Sequence, residues 1–433
     1  MAIVSGGIGS GLDVNGLVSQ LMALERRPLN LLESRKQGYN NQLSAFGKIK
    51  SDLDAFRSAM SALKNTGTFD VFKTSTSDEK ILTTTATASA SAGPHTINVQ
   101  SLAKAQIQVA TTGYSDTSSG LGLSGDLSFT FGTSNFSVNV TAADSLTAIQ
   151  NSINAATGNT GVTASILNDG TANGNRLVLT AKNSGTDNTV TVGGSLAPGL
   201  ALNVTSPATN AVIDVDGVLN ITKQSNTITD VVPGVTLELK GQGAATINVT
   251  RNNDAIAEKV TAFVDAYNKL ATTIGDLRKK GAVLEADGSS RSVLTDLQGE
   301  FNTAVSIAGG AYSYLAQVGV TFGKDGKLSL NKTELGSAID KNLSSVVSLF
   351  ADQSQGFATR LYNRANAMLQ SDGTIDSRED GLNERIRNTN SNIDQVKVRL
   401  ENVEKRLRTQ FAALDSLVGS LQQTSSFLTS QLR

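Results

Sequence analysis

The chain has 433 residues, no Cys and no Trp, and its 37 basic residues nearly balance 38 acidic ones. Zero Cys excludes disulfides, thiolate metal sites and cysteine nucleophiles, and the charge balance offers nothing to nucleic acid or an anionic membrane surface. At roughly 150 residues per domain, the length predicts about three domains.

Residues 1–11, MAIVSGGIGSG, are Gly/Ser-rich and read as flexible. The first basic residue is Arg26 and no apolar run precedes it, so no cleaved secretory signal is expected, nor is any stretch as long as a membrane span. Residues 12–24 read as an amphipathic helix with Leu12, Leu17, Leu21 and Leu24 on its apolar face. Pro28 suits the first turn of a second helix, where its missing N–H costs nothing. That helix carries a heptad, Leu32, Tyr39, Phe46, Leu53 and Met60, with Ile49, Phe56 and Leu63 three residues on.

Composition changes at about Phe72, where Thr, Ser, Asn, Gly and Ala take over. Residues 113–209 hold only seven charged residues, against eleven in 382–408, which separates a polar but uncharged region from a charged rod. Alternating runs predict strands at Thr96–Val99, Phe129–Phe131, Phe136–Val140, Leu177–Leu179, Val235–Leu239 and Ile247–Val249. One helix interrupts them, with Asp144 as its expected N-cap and Leu146, Ile149 and Ile153 on one face. His95, the single histidine, follows Pro94 in what reads as an exposed turn.

Helical periodicity returns at about Asp254, with Ile256, Val260, Phe263, Tyr267, Leu270, Ile274 and Leu277 in one stripe and Leu294, Leu297, Phe301 and Val305 in another. Val318, Val320 and Phe322, the turn Lys324-Asp325-Gly326, and Leu328 and Leu330 predict a β-hairpin. The last segment has a branched aliphatic residue every seventh position without a miss: Ile386, Ile393, Leu400, Leu407, Leu414, Leu421 and Leu428. Three residues after each come Thr389, Val396, Val403, Gln410, Leu417, Thr424 and Gln431. From about Leu382 to the end, a helix with this seam is about 75 Å long at 1.5 Å per residue. Glu401 with Lys405, and Glu404 with Arg408, are spaced to pair on its solvated face. Thr389, Gln410 and Thr424 weaken the seam and are candidates for setting register.

The fold class read from these patterns is multidomain α+β. N- and C-terminal helices pair as a coiled-coil helical domain, and two mostly antiparallel β-rich domains are inserted between them. The expected division is a flexible terminal helical domain of residues 1–40 and 400–433; a helical domain with a β-hairpin, 41–71 and 252–399; a β-rich domain, 72–112 and 210–251; and a second inserted β-rich domain, 113–209. The expected coiled-coil core is Leu32, Tyr39, Phe46, Leu53, Met60, Ile386, Ile393 and Leu400. The candidates for contact with other chains are Leu12, Leu17, Leu21, Leu407, Leu414, Leu417, Leu421 and Leu428.

Catalytic signals are absent. From Gly7 and Gly9 the third glycine of a dinucleotide loop falls on Leu12, with no strand before it and no P-loop lysine after. Asp372 to Asp380 has calcium-loop spacing in part, but the glycine position is Ser377 and the bidentate glutamate position is Asn383, so Ser377 reads instead as a cap of the last helix. A Ser-His-Asp relay would need His95. No catalytic residue, metal or cofactor is assigned, and the chain reads as a non-enzyme.

Several blocks carry a family resemblance. GSGLDVNGLVSQLMALERRPL (Gly9–Leu29) resembles the N-terminal signature of the bacterial flagellar filament cap family, also called hook-associated protein 2, and SAFGKIKSDLDAF (Ser44–Phe56) is similar to the block that follows it there. SAGPHTINVQSLAKAQ (Ser91–Gln106), NTITDVVPGVTLELK (Asn226–Lys240), AFVDAYNKL (Ala262–Leu270) and VGVTFGKDGKLSLN (Val318–Asn331) match in order and spacing. Residues 136–192, with DSLTAIQNSIN and NGNRLVLT, resemble a repeat shared with flagellins. The resemblance implies a paired-terminus helical domain with two β-rich insertions. It implies export through the flagellar apparatus without a cleaved signal and an extracellular place at the flagellum tip. It also implies a ring-shaped homo-oligomer, a pentamer in the filament, that helps flagellin fold and insert and prevents its loss. The partners it implies are flagellin, further copies of the chain, hook-filament junction proteins and a cytoplasmic export chaperone, with no nucleic acid and no membrane. Two other classes remain at this stage: a surface adhesin with β-domains on a coiled-coil stalk, and a cell-wall hydrolase using carboxylates.

Overall fold

The computed structural model of the chain describes residues 13–431. The Gly/Ser-rich run at 1–11 and Leu12 lie outside them. The chain forms two compact units, Met1–Thr68 with Ile256–Arg433, and Phe69–Ala255. The expected α+β class stands, with helices in the first unit and antiparallel sheets in the second.

The helices are α1 (Val14–Glu25), α2 (Arg27–Leu63), α3 (Leu146–Ala155), α4 (Ala197–Leu200), α5 (Asn253–Arg278), α6 (Gly288–Phe301), α7 (Lys332–Ala351), α8 (Phe357–Leu369) and α9 (Thr374–Gln431). The strands are β1 (Phe72–Thr76), β2 (Leu82–Ala86), β3 (Gly93–Ser101), β4 (Ile107–Ala110), β5 (Gly125–Phe131), β6 (Ser134–Val140), β7 (Val162–Asn168), β8 (Asn175–Ala181) and β9 (Val190–Gly193). They continue with β10 (Leu202–Ser206), β11 (Ala211–Val215), β12 (Val218–Lys223), β13 (Thr227–Val232), β14 (Val235–Leu239), β15 (Gly243–Arg251), β16 (Val320–Phe322) and β17 (Leu328–Leu330).

In the helical unit, α2 packs along α9 and α8, and an aromatic cluster fills the space against α5 and α6. Phe56 lies 6.0 Å from Phe263 and 6.2 Å from Tyr267 between ring centres, and Tyr267 meets Phe301 edge-on at 5.4 Å. The small hairpin is held to α5 at two points. The Tyr267 hydroxyl donates to Gly326 O, and the Asn268 amide donates to Leu328 O at 2.8 Å while accepting Leu328 N–H at 2.7 Å. One side-chain amide thus satisfies the outer edge of β17 as a neighbouring strand would. Asp52 is buried beneath α5, where Lys269 Nζ lies 2.8 Å from Oδ1 and the Thr273 hydroxyl donates to Oδ2 at 2.6 Å.

The β unit contains two apolar cores. One is built from β2, β3, β11, β13, β14 and β15, around Leu82, Ile97, Leu237 and Ile247. Its main sheet has the order β1-β15-β3-β11-β12 and a smaller one the order β13-β14-β2. The other core, around Leu127, Phe129, Ile149 and Leu177, lies between the sheets β10-β4-β8-β7 and β6-β5-β9, with α3 packed on β7. Ile107–Ala110 was expected on the near side of a boundary at 112/113. It pairs instead with β8 and β10 in the second core, because Ala110 is one of that core's fully buried residues.

Three local expectations need correction. The N-cap of α3 is Ser145, whose side chain accepts Ala148 N–H at 3.2 Å; Asp144 instead accepts Thr141 N–H at 2.7 Å and closes the preceding turn. The terminal helix begins at Thr374, so Ser377 is already inside its first turn and Asp376 accepts Asp372 N–H at 3.1 Å. His95 stands in β3, partly buried, with Nδ1 2.7 Å from Asp216 Oδ2. Asp216 also accepts Thr96 N–H, and it occupies a left-handed position (φ 50°) beside Gly217 (φ 85°) in the two-residue β11–β12 turn. The hydrogen bond from His95, then that from Thr96, hold the Asp216 carboxyl below the ordinary carboxylate range.

Two buried glutamines tie the sheets of the second core together. Gln106 Oε1 accepts Val190 N–H and Gln108 Nε2 donates to Val190 O, each at 2.6 Å. They satisfy the open edge of β9, which among the described residues pairs only with β5. Gln108→Leu leaves the Val190 carbonyl buried without its donor. The expected loss is about 1–3 kcal/mol, read as a lower denaturation midpoint of the β unit.

Candidate assembly interface at the terminal helices

α1 and α2 run antiparallel to α9 in one continuous register. Arg378 lies over the ring of Phe46, Arg385 over Tyr39, Arg399 donates to Glu25, and Arg408 donates to Asn15. The residue numbers of the first three pairs each total 424, and those of the last total 423. Pro28 lacks the N–H that would reach the carbonyl four residues back, and the helix is interrupted at Arg26. The register nonetheless persists across the break.

Along this register the C-terminal seam passes from buried to exposed. Ile393, Leu400 and Val403 are buried, and Leu407 and Phe411 are partly buried against Val14, Val18 and Met22 of α1. Asp13, the first described residue, falls opposite Phe411. Beyond that point Leu414, Leu417, Leu421, Phe427 and Leu428 are 43, 57, 59, 62 and 54 % exposed. Between residues 409 and 431 the sequence has one charged residue, Asp415. The last turns of α9 therefore present an apolar, nearly uncharged face with no partner among the described residues in the register. Lone exposed leucines are ordinary, but four on one stripe within about four turns of a helix form a patch.

The expected core list divides at the middle. Phe46, Leu53 and Met60 are fully buried and Ile393 and Leu400 are buried, whereas Leu32, Tyr39 and Ile386 are only partly so. Leu32, Tyr39 and Ile386 lie where α2 packs on α9 before α8 joins it, whereas from Ala45 onward α5 and α8 close over the α2 seam. The Leu stripe on α1 is also corrected. Val14, Val18 and Met22 face α9, while Leu17, Leu21 and Leu24 point outward. The spacing of Val14, Val18 and Met22, four residues apart, marks this face in the sequence. Phe411 and Phe427 were missed because they lie off the heptad positions.

Two seam threonines bond within their own helix. Thr389 Oγ1 donates to Arg385 O at 2.7 Å and Thr424 Oγ1 to Ser420 O at 2.9 Å, so both hydroxyls turn back on their own helix. Glu404 pairs with Arg408 at 2.8 Å, but Glu401 and Lys405, expected to pair likewise, form no ion pair. Lys50 anchors α2 to α9 at 2.9 Å from Glu379, and that hydrogen bond, with the charges of Glu379, Asp376 and Asp380, raises its pKa. The contribution of this tie is complete below the ordinary lysine value and is lost only as pH rises through the raised one, so it holds across the neutral range.

Among the described residues, no cluster of His, Asp and Glu is arranged to hold a metal, and no helix is long and apolar enough to cross a membrane.

Known proteins resemble the chain over most of its length. The sequence matches the family model "Flagellar hook-associated protein 2 N-terminus" over residues 10–106 and "Flagellar hook-associated protein 2 C-terminus" over residues 208–423. "Flagellin hook IN motif" matches residues 126–183, which is β5 to β8, beginning ten and ending nine residues before the repeat expected at 136–192. The A-type flagellar hook-associated protein 2 of Pseudomonas aeruginosa is 31% identical, covering 98% of this chain and 96% of that protein. The flagellar hook-associated protein 2 of Escherichia coli K12 is also 31% identical, over 99% of this chain and 98% of that protein. The solved D1-D2-D3 domains of the Escherichia coli flagellar cap protein FliD align with a TM-score of 0.66 at 31% identity, covering 78% of this chain and 99% of that structure.

Proposed function

The chain belongs to the flagellar hook-associated protein 2 family, and from that premise we propose that its terminal helices are the part of a filament cap that engages the distal end of the flagellum. Its function is that of a flagellar cap. The observation that carries the proposal is the exposed apolar face of α9 from Leu414 to Leu428, beyond the part of the seam that α1 covers. Burying each of these leucines at a protein contact is worth roughly 1.5–3 kcal/mol, so the face has a driving force to find a neighbour. On this reading Leu407, Leu414, Leu417, Leu421 and Leu428, with Leu17 and Leu21 on the outward face of α1, contact filament subunits. Leu12 joins them as a candidate from outside the described residues.

The finer reading follows from the same premise. The chain acts as a structural assembly protein without catalysis. It reaches the extracellular tip by flagellar export without a cleaved signal, aided by a cytoplasmic chaperone. There it forms a ring, a pentamer on the filament, follows the junction proteins, and helps flagellin fold and insert. The adhesin reading has no observation in its favour. A clean deletion is expected to release unpolymerised flagellin into the medium and to abolish swimming, with recovery on complementation. Normal filaments in the deletion strain would refute the capping role.

A further inference from the structure

The two cores of the β unit share no residue. The chain crosses between the lobes they define at residues 103–107 and 206–211, and the crossings are tied by reciprocal backbone bonds. Lys104 N–H donates to Thr209 O at 2.9 Å and Thr209 N–H to Lys104 O at 3.1 Å. A second tie lies beside it. The turn of residues 184–188 in the inserted lobe presents its backbone to the other lobe, where Thr186 N–H donates to Asn210 Oδ1 at 2.8 Å and Asp187 N–H to Gln224 Oε1 at 3.1 Å. The Ser184 hydroxyl donates to Gln224 O at 2.8 Å, and Gly185 N–H to Lys104 O at 3.1 Å. The first N–H groups of a short helical turn have no partner within it, and here amide oxygens across the gap supply them. Contact is close enough to require glycine: a Cβ on Gly185 would lie 2.1 Å from Gln224 Oε1 and 2.6 Å from Gln224 O, and its φ is +92°.

This second tie is polar throughout. Each of its hydrogen bonds is exchanged for one to water when it opens, so each adds a modest net amount and the tie holds one orientation only while its bonds act together. Lobes joined by polar contacts of this kind move relative to each other by default. We propose that the Gly185 turn is a latch: the inserted lobe swings as a body about the Lys104–Thr209 crossing, and docking of the turn on Asn210 and Gln224 holds one orientation. The proposal goes beyond the capping reading and does not depend on it, since it concerns geometry inside one unit of one chain.

The absence of native Cys makes the test direct, because two introduced cysteines are unique labels. Ser152→Cys on α3 and Lys240→Cys after β14 place exposed spin labels on the two lobes of the full chain. Pulsed electron-resonance distance measurement is expected to give one narrow distribution. Gly185→Ala, and separately Asn210→Ala with Gln224→Ala, are expected to broaden it or add a second distance while the β unit stays folded, as read by its circular dichroism. The double-alanine variant carries no positive-φ strain, so it decides the matter if Gly185→Ala fails to fold. The narrow distance persisting in a folded latch variant overturns the proposal, as does an unsubstituted chain already as broad as the variants.

Discussion

Cells carrying Leu414→Asp with Leu421→Asp are expected to secrete flagellin into the medium and to swim no better than cells lacking the chain. Both leucines are exposed, at 43 and 59 %, and neither belongs to an apolar cluster among the described residues. Their replacement therefore falls among surface changes, which shift stability by about 0.5 kcal/mol or less. Helicity and melting of the purified variant should match the unsubstituted protein. At a contact with filament subunits the same change is severe. It removes two branched side chains and places two carboxylates where no cation waits on α9, whose stretch from 409 to 431 has no basic residue. Burying one unpaired charge costs several kcal/mol, and each 1.4 kcal/mol is a factor of ten in occupancy of the filament end. Leu400→Asp makes the contrast. Leu400 is buried against α1, so that variant should loosen the helix pair in the isolated protein and lower its melting temperature. Full motility of the double Asp variant, with normal expression, would sink the leg assignment.

How far the sequence foretells this arrangement depends on whether a residue's partner is near it in the chain. The heptad from Ile386 to Leu428 announces a long helix because its period is local. The place where α1 stops covering the seam is set by where α1 begins at Val14, and that requires the register given by Arg399–Glu25 and Arg408–Asn15. The strands with apolar alternation, such as β6 and β14, are legible. Leu82–Ala86 is not, because three of its five residues are threonine, and Leu202–Ser206 has only two apolar positions; the pairing of both rests on distant strands. Asp144 and Ser145 are both good N-cap types, and only the extended backbone at Ser145 (φ −81°, ψ 167°) decides between them. Gln106 and Gln108 carry no local sign of their task, since their partner Val190 is more than eighty residues away. Gly185 reads as one more glycine in a polar loop until Gln224 is seen against it.

Phe56→Ala is expected to cause the largest loss of stability from a single substitution, confined to the helical unit. The ring is fully buried, and its aromatic neighbours Phe263 and Tyr267 both lie on α5. Tyr267 in turn meets Phe301 and Phe322 and holds Gly326 through its hydroxyl, so α2, α5, α6 and the β16–β17 hairpin are packed around one cluster. Truncating a buried Phe to Ala costs about 3–5 kcal/mol, from lost transfer free energy and the cavity left behind. The upper part of that range applies where the walls cannot collapse. Here they are rings already in contact with one another, with Tyr267 tethered by hydrogen bonds to Gly326 and Gln298. For a unit of this size a loss of 1 kcal/mol lowers the melting temperature by roughly 2–4 °C, which predicts a fall of about 6–20 °C. Calorimetry of the full chain reads this directly. The transition of the helical unit should move down while that of the β unit stays in place, because every neighbour named here belongs to the helical unit. Phe56→Leu, which keeps most of the volume, should cost less than half as much. Two transitions that shift together would mean that the units unfold as one, and a shift of a degree or two would mean that the cluster closes over the gap.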